Sequence, residues 1–175
     1  MGRLAEFVKQ VRRERVGAQI PGFDPRDGGI HARALFLLEA PGPKAVSTGF
    51  ISRDNPDPSA RNMRALLHEA GLRREDTVLW NVVPWYVGIP GKIRPISKED
   101  LKQARPYRSK LLELLKALTV VVLVGRKAQA IEEELQGRFF VLRKTFHPSN
   151  QVRNRWPKKY ATIKATFSEV AKLIS

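Results

Sequence analysis

Four runs of apolar, β-branched and aromatic residues punctuate the chain: "ALFLLE" (34–39), "TVLWN" (77–81), "TVVVLV" (119–124) and "RFFVLRKT" (138–145). Their length suits strands, and segments with helical spacing separate them. Strands alternating with helices form a mainly parallel sheet covered on both faces and joined by right-handed crossovers. The pattern therefore predicts a three-layer α/β/α fold around a central, mainly parallel four-stranded sheet.

The helical segments carry their own signals. Leu4, Phe7, Val8 and Val11 recur at helical spacing and predict an amphipathic N-terminal helix, followed by a loop over "IPGFDPRDGG". Asp57 and Pro58 read as the N-cap and first-turn proline of a helix with Met63, Leu66, Leu67 and Ala70 on one face. Ser97 and Asp100 have the spacing of a capping box and open a helical region through Leu118, with Pro106 inside it. A short helix is expected between Gly125 and Gly137, and a last one from near Pro157 that buries Tyr160, Ile163, Phe167 and Val170. A chain of 175 residues fits a single domain, taken here as 1–175.

Charge narrows the partners. Thirty-two Lys and Arg against 17 Asp and Glu give a net charge of +15, spread along the chain. Such a surface attracts polyanions, with nucleic acid ahead of anionic membrane; a merely soluble basic protein is the plain alternative. The absence of cysteine excludes disulfides, thiolate zinc sites and cysteine-ligated iron–sulfur clusters. Neither metal-ligand spacing nor a Walker loop, GxGxxG or nucleophile elbow occurs, so no metal or cofactor is expected. The N-terminus lacks a signal-peptide core and "LTVVVLVG" is too short to span a bilayer, which predicts an intracellular protein in cytoplasm or nucleoid, or in a eukaryotic nucleus; a monomer is expected.

Parallel sheets bind ligands at the carboxyl ends of their strands. Those ends read "EAPGP", "NVVPWY", "GRKAQ" and "FHPSN", so an acid, an amide, a glycine turn and an imidazole should converge on one edge. Glu39 is either a carboxylate reaching a polar cavity or a solvent-facing strand end. Gly42 leaves room for a ligand near the backbone, although Pro-Gly turns are common. Asn81 offers both a donor and an acceptor, enough to read a base edge such as O4 and N3–H of uracil, or to bond the backbone in a turn. His147 either donates to an oxygen that gains charge or only shapes a turn. Phe50, in the polar segment "STGFISRDNPDPSARN", is free to stack on a base, whereas Trp80 belongs to the core. His31 and His68 receive no role.

Taken together and in order, "LLEAPGP", "GF" at 49–50, "VLWNVVPWY" and "HPS" at 147–149 resemble the uracil-DNA glycosylase superfamily, over residues 34 to about 156. The first motif is similar to the "GEAPG" form of its iron–sulfur branch. The resemblance implies a DNA repair hydrolase that flips uracil or a related deaminated base out of DNA and hydrolyses its N-glycosidic bond, leaving an abasic site. Glu39 would then activate water, Ala40 and Gly42 would line the base pocket, Phe50 would stack on the base and Asn81 would read its edge. His147 would face O2 of the departing base. The loop after it, Ser149, Asn150, Gln151 and Val152 with Arg153 and Arg155, would enter and grip the DNA.

The chain departs from that pattern. Leu38 replaces the usual Gly, Ala40 stands where some branches carry a catalytic Asp or Asn, the cluster cysteines are missing, and "NQVRNRW" replaces the usual "PLS" wedge. Asp54 and Asp57 are alternative sources of the water-activating carboxylate, with Glu39 preferred. Because Gly42 stands where a bulky aromatic would exclude a 5-methyl group, bases other than uracil are also admissible. One competing reading is a catalytically weak or inactive nucleic-acid binder of the same fold. Another is an unrelated doubly wound domain that holds a phosphate at "GRKAQ".

Overall fold

The computed structural model describes residues 2–89, 92 and 94–175. Helix α1 (Gly2–Glu14) buries Leu4, Phe7, Val8 and Val11, the four residues of its apolar stripe. Strands β2 (Ala34–Leu38), β4 (Thr77–Asn81), β5 (Val120–Val124) and β6 (Val141–Thr145) form one parallel sheet in the order β4-β2-β5-β6. The expected run 138–145 is thus ordered as a strand only from Val141.

Alternation along a strand sends neighbouring side chains to opposite faces. Leu37 is in register with Trp80, and Phe36 with Leu79. Trp80 meets Phe7 of α1 at 6.5 Å between ring centroids, whereas Phe36 meets Phe167 at 5.0 Å. Phe167 belongs to α7 (Pro157–Leu173), so α1 and α7 cover opposite faces and the three layers of the expected architecture are present. Helix α4 (Lys98–Leu114) packs with α1, and α3 (Pro58–Glu69) with α7.

Local capping signals are realised. Asp57 accepts the Ala60 N–H at 2.9 Å, and Ser97 and Asp100 form a complete capping box. Helix α4 keeps Pro106 inside it and ends at Leu114, earlier than expected. Between Gly125 and Gly137 lie a 3₁₀ turn (Ala128–Ile131) and the single turn α5 (Glu132–Leu135).

Three features differ from the sequence reading. The segment after Ile20 contains β1 (Gly22–Phe23), paired in parallel with β3 (Phe50–Ile51), and Phe23 stacks on Trp80 at 3.8 Å. A short helix α2 (Pro43–Thr48) follows the first strand-end motif. The segment after "HPS" is not a loop but α6 (Asn150–Arg155), N-capped by Ser149, whose side chain accepts the Val152 N–H. Among the described residues no helix is long and apolar enough to cross a membrane.

Candidate active site

The parallel ladder does the first positioning. Leu38 is in register with Asn81, and the ladder runs on past the strands because Val82 N–H donates to the Leu38 carbonyl and Val83 N–H to that of Glu39. Glu39 and Asn81 therefore leave adjacent strands side by side. On the other flank, Val124 is in register with Thr145, and His147 follows two residues later.

Gly125 explains why the histidine can sit there. Its φ is +89°, and a Cβ built on it would approach the His147 Cβ to 3.2 Å. A side chain at 125 would be strained and would crowd the imidazole. The helical turn within and after "GRKAQ" is only four residues of 3₁₀, Ala128–Ile131.

Glu39, Asn81 and His147 line one cavity of about 600 Å³, with Ala40 and Gly42. Leu38, Ile51, Met63, Leu79 and Val87 supply apolar wall, and Asp57, Lys44 and Arg94 contribute charge. Asn81 is buried, and its Oδ1 has no hydrogen-bond partner among the described residues. A buried amide oxygen left unpaired costs stability, and this one is an acceptor still open to a partner. A Cβ on Gly42 would meet nothing within 4 Å, so open space lies beside that backbone.

Glu39 is fixed rather than loose: its Oε1 accepts the Ile96 backbone N–H at 3.1 Å. Ile96 is itself held by its neighbours, because Arg94 grips Asp100 with two hydrogen bonds of 2.6 and 3.0 Å, and Ser97 caps α4 by accepting the Asp100 N–H while the Asp100 carboxylate accepts that of Ser97. The Arg94 guanidinium holds the Asp100 carboxyl well below the usual carboxylate range. Burial lowers the proton affinity of His147, and the nearby charges of Glu39 and Asp57 only partly oppose this. Burial thus favours the neutral imidazole, which can donate one N–H.

Several predicted residues sit elsewhere. Phe50 is 42% exposed and lies outside the cavity lining, with its ring beside Gly22. The reason is strand alternation: in β3 it is Ile51 that turns inward and joins the apolar wall, while the Phe50 ring stands at the rim. Val152 is 8% exposed and joins the core beneath α6. Gln151, Arg153 and Arg155 are exposed, as is Asn150. Asp54 belongs to an ion cluster with Arg26, Arg64 and Arg74 and is absent from the lining, whereas Asp57 is present there.

Two positioning residues were not anticipated. Buried Asn62 donates to the Pro148 carbonyl at 2.9 Å and to Asn150 Oδ1 at 3.0 Å, and accepts from Arg153 at 2.9 Å. It clamps the His147 turn to α3. Buried Arg108 donates to the Val82 carbonyl at 2.8 Å and pairs with Glu134 at 2.6 Å, securing the turn after Asn81. The available signal was a polar residue within an apolar helical stripe: Asn62 beside Met63, and Arg108 one turn before Leu111 and Leu112.

A model of the Uracil DNA glycosylase superfamily matches residues 25–171. Among solved structures, an NMR structure of a Methanosarcina acetivorans protein, provisionally assigned as a uracil DNA glycosylase, has the same fold. It aligns at a TM-score of 0.53 and 18% identity, covering 80% of this chain and 91% of that one. No curated protein matches the sequence significantly.

Proposed function

We propose, because this chain belongs to the Uracil DNA glycosylase superfamily, that it excises uracil or a related deaminated base from DNA by hydrolysing the N-glycosidic bond. The observation that carries this reading is the meeting of Glu39, the unpaired Oδ1 of Asn81 and neutral His147 in one cavity at the carboxyl edge of the sheet.

A glycosidic bond inside a duplex is inaccessible, so the nucleotide turns out of the stack into the cavity. Asn81 Oδ1 accepts from N3–H of the base, and its amide nitrogen donates to O4. As the bond from the sugar C1′ to the base nitrogen breaks, positive charge grows on the sugar and negative charge on the base. His147 donates to O2 and stabilises the departing anion more than the intact nucleotide. The second oxygen of Glu39 orients a water whose oxygen bonds to C1′, and the carboxylate takes the proton released. The base leaves as the anion and is protonated by solvent. Asp57, in the same lining, is the alternative carboxylate, although its Oδ1 already caps α3. Arg153, Arg155 and the exposed first turn of α6 face the DNA. The open space at Gly42 admits bases with a 5-substituent.

The test is alkaline cleavage of uracil-containing single and double strands after incubation with wild-type protein, Glu39→Gln, Asn81→Ala and His147→Ala. Loss of the His147 donor is expected to slow release about a hundredfold, and Glu39→Gln at least as much. Undiminished release by both Glu39→Gln and His147→Ala overturns the mechanism.

A further inference from the structure

Between Glu134 and Glu169 the chain has no acidic residue but carries Arg138, Arg143, Lys144, Arg153, Arg155, Lys158, Lys159 and Lys164. This acid-free stretch contains His147, and next to that histidine it exposes two large rings, Phe146 and Trp156. The Lys159 ammonium lies between them, 5.4 Å from the centroid of Phe146 and 4.3 Å from that of Trp156. Both rings are firmly mounted. Phe146 directly follows β6, and Trp156 joins α6 to α7, with its N–H on the Val152 carbonyl and its own carbonyl accepting from Tyr160.

Two exposed rings side by side on an acid-free face make an apolar patch that a flat ligand can cover, and the basic residues around them suit an anionic one. A nucleic-acid strand has both parts: every base offers a π-face and every linkage a phosphate. We propose that Phe146, Trp156 and Lys159 form a stacking platform that holds an unpaired base next to the nucleotide in the cavity, with Lys159 on the adjoining phosphate. The platform makes single-stranded DNA a better ligand than a fully paired duplex, whose flanking bases stay in the stack. It rests on reading the neighbouring cavity as one that acts on DNA.

Tryptophan emission tests this without any excision. Trp80 and Trp85 are 2% and 4% exposed, whereas Trp156 is 41% exposed, so a ligand stacked on the platform quenches Trp156 alone. Titrating the full-length protein with a uracil-free oligodeoxythymidine should quench the emission, and Trp156→Phe should lose most of that change. Affinity should fall about tenfold in Trp156→Leu, which keeps apolar bulk without the ring. Phe139→Leu, at the opposite end of β6, should bind as the wild type does. Binding without quenching, absence of binding, or equal affinity for the paired duplex overturns the platform. Quenching without uracil release in the cleavage assay keeps the platform and removes the excision reading, and release without quenching removes the platform alone.

Discussion

His147 is the residue at which burial and charge compete most directly. Burial favours its neutral form, while Glu39 and Asp57 favour the cation. Its imidazole should therefore titrate below the ordinary value of about 6.5, as followed by NMR of the ring nitrogens. Removing the charge in Glu39→Gln should lower the midpoint further; an unchanged or higher midpoint would contradict the proximity of the two groups. The sign for stability follows. Because the folded value is depressed, the contribution is fully present above about pH 6.5 and is lost as pH falls toward the folded value. This same neutrality gives the leaving base a donor that is not itself a cation.

The HPSN turn owes its shape to an element far away in sequence. Asn62 in α3 bonds the Pro148 carbonyl, Asn150 and Arg153 at once, so Asn62→Ala leaves the buried Pro148 carbonyl unpaired and should cost about 1–3 kcal/mol by urea unfolding. Uracil release should fall by more than the unfolded fraction explains, since the His147 donor loses its alignment; release that tracks stability alone would reduce Asn62 to a packing residue. The contrast between what the sequence reveals and what it hides is sharp at this scale. Strands of continuous apolar residues and the caps at Asp57 and Ser97 are local, and they are legible. The β1–β3 pair is two residues on each side and exists only because Gly22 meets Phe50 across the tertiary fold. That pairing decides that Ile51, not Phe50, faces the cavity, a choice that periodicity in a two-residue strand cannot express. Val152 shows the same limit: "NQVRNR" has polar loop composition, and its single apolar residue becomes core only once Ser149 caps α6. Glu39, Asn81 and His147 were legible because parallel topology brings strand ends together, whereas Asn62 and Arg108 act through folded contacts.

Across the whole molecule, three carboxylates and two arginines tie the 24–27 loop to the segment leading from β3 to the cavity. Arg53 lies 3.2 Å from Asp27 and donates to Thr77, and Arg74 bridges Asp24 and Asp54. Burial pushes the Asp27 carboxyl up to about 6 despite the pull of Arg53. The folded state then holds a proton that the unfolded chain releases near pH 4. Asp27's contribution is present below that pH and is lost as pH rises through about 6, up to about 3 kcal/mol. Urea midpoints should show the wild type losing ground to Asp27→Asn between pH 4 and 7; a gap that is flat or widens in the wild type's favour contradicts the assignment.

The net charge of +15 draws the molecule to polyanions whether or not it performs chemistry, so binding alone does not separate an enzyme from a binder. Alkaline cleavage of a uracil-containing strand does. Alkali-labile sites should form at uracil with the wild type and none above background with a Glu39→Gln/His147→Ala double variant. Salt-sensitive binding of the same strand by the wild type with no cleavable site formed would contradict it.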